Sequence, residues 1–364
     1  MAMAMPELCQ LAQQGDLPKI RALLASSPCP DRLLDTRHRK SGDSVLHYAA
    51  RHGHLSVLRY LCEECGLSPE TGNVDGKRPL HEAAQAGQTE CVRYLISRSI
   101  QINVLKRADW TPIMLACTKT NLTVVQLLRD AGADLTIRNK DGWNCFHVAC
   151  REGDVDILSY LLDCDGTLWE SVSTNGRTPL HTASLHGCVG ATQVLLQRCN
   201  YAPDTPDSCG STPLMDAVRA DNIDLAQLLV KQHGADVQKL DTMGRQPLHL
   251  AAQAGCIQAV RYLLTEHGIP VDTPAPGSGL TALHFAAKEG QTDAVKLLVR
   301  FGSNVNIKDD KGRTALHMAS GGQHAECVRV LLTSGAVDGT DRSGNTAEQL
   351  ARKKTVKDIF RQIN

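Results

Sequence analysis

Histidine, glutamate and cysteine are the residues of this chain that could do chemistry, and their spacing limits what that chemistry is. His81-Glu82-Ala83-Ala84-Gln85 begins like the zinc-protease pattern H-E-x-x-H, but Gln85 stands where the second imidazole is needed one helical turn later. Cys62-Glu-Glu-Cys65 is the only C-x-x-C, with no second pair at zinc-finger spacing and no βαβ pattern to make it a redox site. Neither the Gly-x-x-x-x-Gly-Lys-Ser/Thr phosphate loop nor Gly-x-Gly-x-x-Gly occurs. No metal, no cofactor and no catalytic residue is therefore expected, and the chain reads as a non-enzyme.

The histidines do follow a pattern, and it is a structural one. One phrase returns as Ser44-Val-Leu-His47, Arg78-Pro-Leu-His81, Thr111-Pro-Ile-Met114, Asn144-Cys-Phe-His147, Thr178-Pro-Leu-His181, Thr212-Pro-Leu-Met215, Gln246-Pro-Leu-His249, Thr281-Ala-Leu-His284 and Thr314-Ala-Leu-His317. Successive fourth positions lie 34, 33, 33, 34, 34, 34, 35 and 33 residues apart. In the phrase, Thr suits a helix N-cap, Pro suits the first helical position because its missing N–H costs nothing there, and Leu enters the core. The histidine is placed to hydrogen-bond backbone of the adjoining turn.

Each unit then continues on one plan. Small pairs such as Ala83-Ala84 and Ala286-Ala287 let neighbouring helices approach, and a glycine (Gly53, Gly87, Gly153, Gly187, Gly255, Gly290) stops the first helix. A second helix carries an aliphatic stripe, as in Val57-Leu58-Leu61 and Val295-Leu297-Leu298. Such a pair cannot bury its own apolar face, so units must stack. The prediction is an all-α solenoid: a capping repeat over 1–40, nine full repeats over 41–343 and a C-terminal cap over 344–364. The third and sixth units replace the glycine with Thr118-Lys-Thr-Asn121 and Arg219-Ala-Asp-Asn222 and are expected to be softer, while Pro270–Gly279 makes a turn one residue longer than its neighbours.

Composition agrees with a soluble protein binder. Of 364 residues, 39 are Lys or Arg and 39 are Asp or Glu, so no net field draws the chain to nucleic acid or an anionic membrane. Apolar content of 42% with only 4% aromatics predicts a thin aliphatic core. The fourteen cysteines read as reduced small hydrophobes, and the opening Met1–Leu8 lacks the features of a signal peptide. A cytoplasmic or nuclear, monomeric protein is expected.

The residue before the Thr of each phrase marks a hairpin finger facing the concave side. That column reads Asp43, Lys77, Trp110, Trp143, Arg177, Ser211, Arg245, Leu280, Arg313 and Asn345. Two tryptophans at equivalent, normally exposed positions, flanked by cations, predict an interface. The expected partner-binding set is Lys77, Lys106, Trp110, Lys140, Trp143, Arg151 and Arg177, facing an acidic patch on a protein. The alternatives are packing of each indole on its neighbouring finger, and RNA contact through interleaved Trp, Lys and Arg.

The period and the phrase resemble the ankyrin repeat family, which implies non-catalytic protein recognition. A narrower resemblance within that family is carried by Gly76-Lys-Arg-Pro-Leu-His-Glu-Ala-Ala84, Ala108-Asp-Trp-Thr-Pro112, Lys140-Asp-Gly-Trp-Asn144 and Arg177-Thr-Pro-Leu-His-Thr182. It implies a partner of alanyl-tRNA synthetase that supports translational fidelity; a general signalling or transcriptional adaptor is the alternative.

Overall fold

The computed structural model describes residues 6–363. Met1–Met5, which belong to the expected N-terminal cap and to the segment read as lacking a signal sequence, and Asn364 of the C-terminal cap lie outside the described residues. Among the described residues the regular structure is helical, with four isolated β-bridges at finger bases. No helix among them is long and apolar enough to cross a membrane.

Two compact units divide the chain between Thr174 and Asn175. In the first, helices Glu7–Gln14 and Leu17–Ser26 form a capping pair, with Gly15 at φ 75° between them, and an unanticipated short helix Pro30–Leu34 follows. Four of the nine phrases lie here, opening helices Val45–Arg51, Pro79–Ala86, Pro112–Cys117 and Cys145–Glu152. Each is followed by a second helix: Leu55–Glu63, Thr89–Ser97, Leu122–Asp130 and Val155–Cys164. First helices pack on first helices and second on second within the unit. The predicted stripe is the core: Val57, Leu58 and Leu61 are fully buried, as are Ala83 and Ala84 of the small pair. The second unit repeats this with five phrases and closes on Ala347–Leu350 and Lys354–Ile363, whose Val356, Ile359 and Phe360 are buried.

The phrase works as its chemistry requires. Thr111, Thr178 and Thr212 are N-caps whose hydroxyls accept the backbone N–H of Met114, His181 and Met215, and proline occupies the first helical turn behind each. The histidines do more than reach a neighbouring turn. Nδ1 of His47, His81, His181, His249, His284 and His317 accepts the N–H of its own N-cap residue. Nε2 then donates to a carbonyl in the next finger: Lys77 for His47 (2.8 Å), Ser211 for His181 (2.9 Å), Thr273 for His249 (2.8 Å) and Arg313 for His284 (3.1 Å). One proton, carried on Nε2, satisfies both bonds.

Where the third and sixth units lack glycine, the left-handed conformation is kept. Thr120 sits at φ 52° and Asp221 at φ 55°, against 73° for Gly87. A Cβ at Gly87 would come within 2.7 Å of the side-chain amide of Asn121, the N-cap of the next repeat's second helix, but the positive φ is what favours glycine there. The carboxylate of Asp221 has an occupation of its own, accepting the Ala259 N–H at 2.8 Å; Thr120 has no comparable bond. In the sixth unit the second helix starts as α-helix over Ile223–Gln227 and widens to π geometry over Leu228–Gln232. The long turn is confirmed: Ala275 N–H bonds Leu280 O, five residues on, where Asp241 and Asp309 bond Arg245 and Arg313, four residues on.

Candidate protein-recognition cleft

Hairpin geometry decides which finger side chains are available. Lys106 pairs with Trp110 across the base of the third finger, the Lys106 N–H bonding Trp110 O at 3.0 Å. Ala108 at φ 64° and Asp109 at φ 62° turn the tip. His81 Nε2 donates to Val104 O (3.2 Å) and Trp110 O (3.3 Å), which draws the finger onto the first helix of the preceding repeat. The column is not uniformly exposed: Asp43 and Ser211 are buried, and Trp110 and Trp143 are half-buried.

Each indole also has a local companion, as the packing alternative required. Lys106 Nζ lies 5.5 Å from the Trp110 ring centroid, and the Arg151 guanidinium lies 5.8 Å from that of Trp143, whose other neighbour is the stacked His147 ring at 6.1 Å. Packing and display coexist, since both rings keep part of their surface in solvent.

The predicted cations separate into two groups. Lys77 is tied inward, its ammonium 3.3 Å from Glu82 and 2.8 Å from the Gln85 amide oxygen. Burial alone would raise the Glu82 carboxyl, but hydrogen bonds from Arg51 and the charges of Arg51 and Lys77 outweigh it and hold the carboxyl below the usual range. Arg177 belongs to the second unit and is committed there, bonding Asp207 at 3.2 Å and also Asp216. Asp216 is fully buried, Oδ1 has no partner, and burial pushes its carboxyl up to about 6 against the pull of Arg177. These two cations neutralise internal carboxylates, a role the sequence column did not reveal. Lys140 is exposed on the fourth finger with no carboxylate in ion-pair range among the described residues.

Lys106, Trp110 and Arg151 come together. They line a cleft of about 420 Å³ with Gln85, Leu115, Thr118, Lys119 and Glu152, between the third finger and the first helices beside it. Arg151 Nε reaches Glu152 at 2.8 Å. Desolvation, then the like charge of Lys77, lowers the Lys106 ammonium below its ordinary value. Lys119, just past the end of the first helix of the third repeat, is absent from the set that the sequence predicts. Its position four residues after Leu115 was the available signal.

Nothing in the cleft pairs a nucleophile with a base. The thiols of the C-x-x-C are not activated either: burial pushes Cys62 up to about 11 and also raises Cys65.

A stack of short helix pairs, latched by buried histidines and displaying aromatic and cationic side chains beside its fingers, is a repeat-built recognition protein. The chain belongs to the ankyrin repeat family: the family profile described as "Ankyrin repeats (3 copies)" matches residues 8–106, 67–139, 113–202, 190–275 and 283–362. This fold is a non-catalytic interaction scaffold. Over 295 residues the chain is 32% identical to the B-cell lymphoma 3 protein homolog of Mus musculus, covering 79% of this chain and 50% of that protein. Over 181 residues it is 31% identical to NF-kappa-B inhibitor alpha of Sus scrofa, covering 46% and 58%. A match at 28% identity to an L-asparaginase of Dirofilaria immitis covers 139 residues, 23% of that protein. The chain spans from 6% to 58% of the length of curated relatives it matches. A crystal structure of the ankyrin repeat domain of Bcl-3 aligns at 27% identity with a TM-score of 0.48, covering 61% of this chain and 99% of that one.

Proposed function

We propose that the first unit grips a protein partner through Trp110 and Trp143, with Lys106, Lys140 and Arg151 around them. The observation that carries this reading is the placement of two indoles at corresponding positions of consecutive repeats, one of them walling a cleft whose lysines lack counter-ions. Half-exposed tryptophans on a soluble scaffold are a liability unless a partner covers them. The finer reading is that this partner is alanyl-tRNA synthetase. It is supported by the four segments Gly76–Ala84, Ala108–Pro112, Lys140–Asn144 and Arg177–Thr182, which resemble ankyrin repeat domain-containing protein sixteen. On that reading the chain is a cytoplasmic and nuclear cofactor supporting translational fidelity.

The test is titration of purified alanyl-tRNA synthetase with the wild-type chain and with Trp110→Ala plus Trp143→Ala. Truncating one interface anchor costs about 2 kcal/mol, roughly thirtyfold in affinity. The double variant is expected to keep its helical circular dichroism and lose binding. Unchanged binding by a folded double variant overturns the site, and no binding by the wild type overturns the partner.

A further inference from the structure

In the first unit several finger and groove cations are matched with acids. Arg51 bonds Asp43 and Glu82, Lys77 bonds Glu82, Arg78 bonds Glu70, and Arg107 faces Asp75. Lys106 and Lys119 are different. They line one cleft, and neither has a carboxylate within ion-pair distance among the described residues. Lys106 is also half-buried and held beside the Trp110 ring, so part of the cost of drying its ammonium has been met before any ligand arrives. A third cation, Arg151, enters the cleft bonded to Glu152, and with three cations to one carboxylate the lining is in excess of positive charge.

We infer that this cleft receives an acidic peptide segment of the partner, one carboxylate seated between Lys106 and Lys119 and an adjoining aliphatic side chain laid on Trp110. The inference rests on the protein-recognition reading above and names the chemistry of what that face binds. Charge complementarity selects the occupant, because an anion satisfies two ammonium groups that the fold leaves unmatched. A peptide carboxylate fits better than a nucleic-acid backbone, since Glu152 stands in the same wall and the chain as a whole carries no net charge to hold a polyanion.

The experiment uses the full chain labelled with nitrogen-15, whose three tryptophans give three indole N–H signals. The probes are an octapeptide built of glutamates and leucines, its glutamine counterpart, and oligouridylate. The acidic peptide is expected to shift the Trp110 indole saturably, and the glutamine peptide to bind at least tenfold more weakly. Lys119→Glu, on an exposed helix end, is expected to weaken the acidic peptide at least fivefold, and Lys106→Gln to do so independently, while Lys288→Glu in the second unit has no effect. An unmoved Trp110 signal at millimolar peptide, wild-type affinity for the acidic peptide in both lysine variants, or tighter binding of oligouridylate overturns the proposal. If it falls while the double tryptophan variant still loses its protein partner, the recognition reading stands and only the acidic occupant is wrong.

Discussion

Acidification from pH 7 to pH 5 should weaken the first unit through His81. Buried between its own N-cap and the third finger, this imidazole is pushed down by desolvation to about 4, against about 6.5 for a free side chain. A folded value below the unfolded one means that the unfolded chain takes up the proton first. Stability is therefore complete above the unfolded value, falls as pH drops below it, and stops falling once pH passes the folded value. Each pH unit inside that window costs ~1.4 kcal/mol, so the step to pH 5 costs roughly 2 kcal/mol from His81 alone. His47, in the same unit, is shifted in the same direction by the same cause. The assay is urea unfolding followed by tryptophan fluorescence, because Trp110, Trp143 and Trp169 all lie in the first unit and report it selectively. His81→Met installs the residue found at this position in the third and sixth repeats. It should be weaker at pH 7, having no donor for the Val104 and Trp110 carbonyls, yet its loss between pH 7 and pH 5 should be smaller than the wild type's by about 2 kcal/mol. Equal losses in the two proteins would refute the claim that folding keeps His81 neutral.

Two further substitutions follow from geometry. Thr120→Gly should raise the stability of the first unit by about 1 kcal/mol, since it relieves a β-branched residue of a positive φ, whereas Asp221→Gly should give no gain because it removes the bond to the Ala259 N–H; thermal melts of the two variants check the contrast, and equal gains would sink it. Arg177→Ala leaves Asp216 buried without its cation and should cost about 3 kcal/mol or more at pH 7. Because the Asp216 carboxyl is already raised to about 6, it becomes neutral on acidification, so the penalty should shrink at pH 5, and Arg177→Ala with Asp216→Thr should recover most of the loss; a penalty that grows at pH 5 in urea unfolding followed by circular dichroism would contradict the assignment.

Much of this was legible in the residues. The 33-to-35-residue phrase placed every first helix, and Gly15 with its flanking apolar pattern located the N-terminal capping pair. The backbone role of the phrase histidine also followed from its recurrence, because a repeated residue serves a repeated need. What the period could not carry was the choice of ion-pair partner. Arg177 meets Asp216, 39 residues on, rather than the position one period away, since a long flexible side chain goes to the nearest buried carboxylate it can reach. Lys77 is lost to Glu82 for the same reason. Thr120 and Asp221 adopt the glycine conformation because neighbouring helices impose it, against local preference. Lys119 was passed over because a charge at the end of a helix looks solvated until the opposite finger wall is in place.

The histidine bonds give each stack a direction. The phrase imidazoles of His47, His81, His181, His249, His284 and His317 all hand their Nε2 proton forward to the next finger, so these repeats behave like couplings in a train, each hooked to the one behind it. At Met114 and Met215 the hook is missing, for a thioether has no proton to give. In a linear array whose stability is a sum of neighbour terms, such links decide where the train parts. Partial opening within the first unit should thus begin between the third and fourth repeats, at the edge of the cleft itself, so that covering the cleft with a partner would also fasten the weakest joint of the unit.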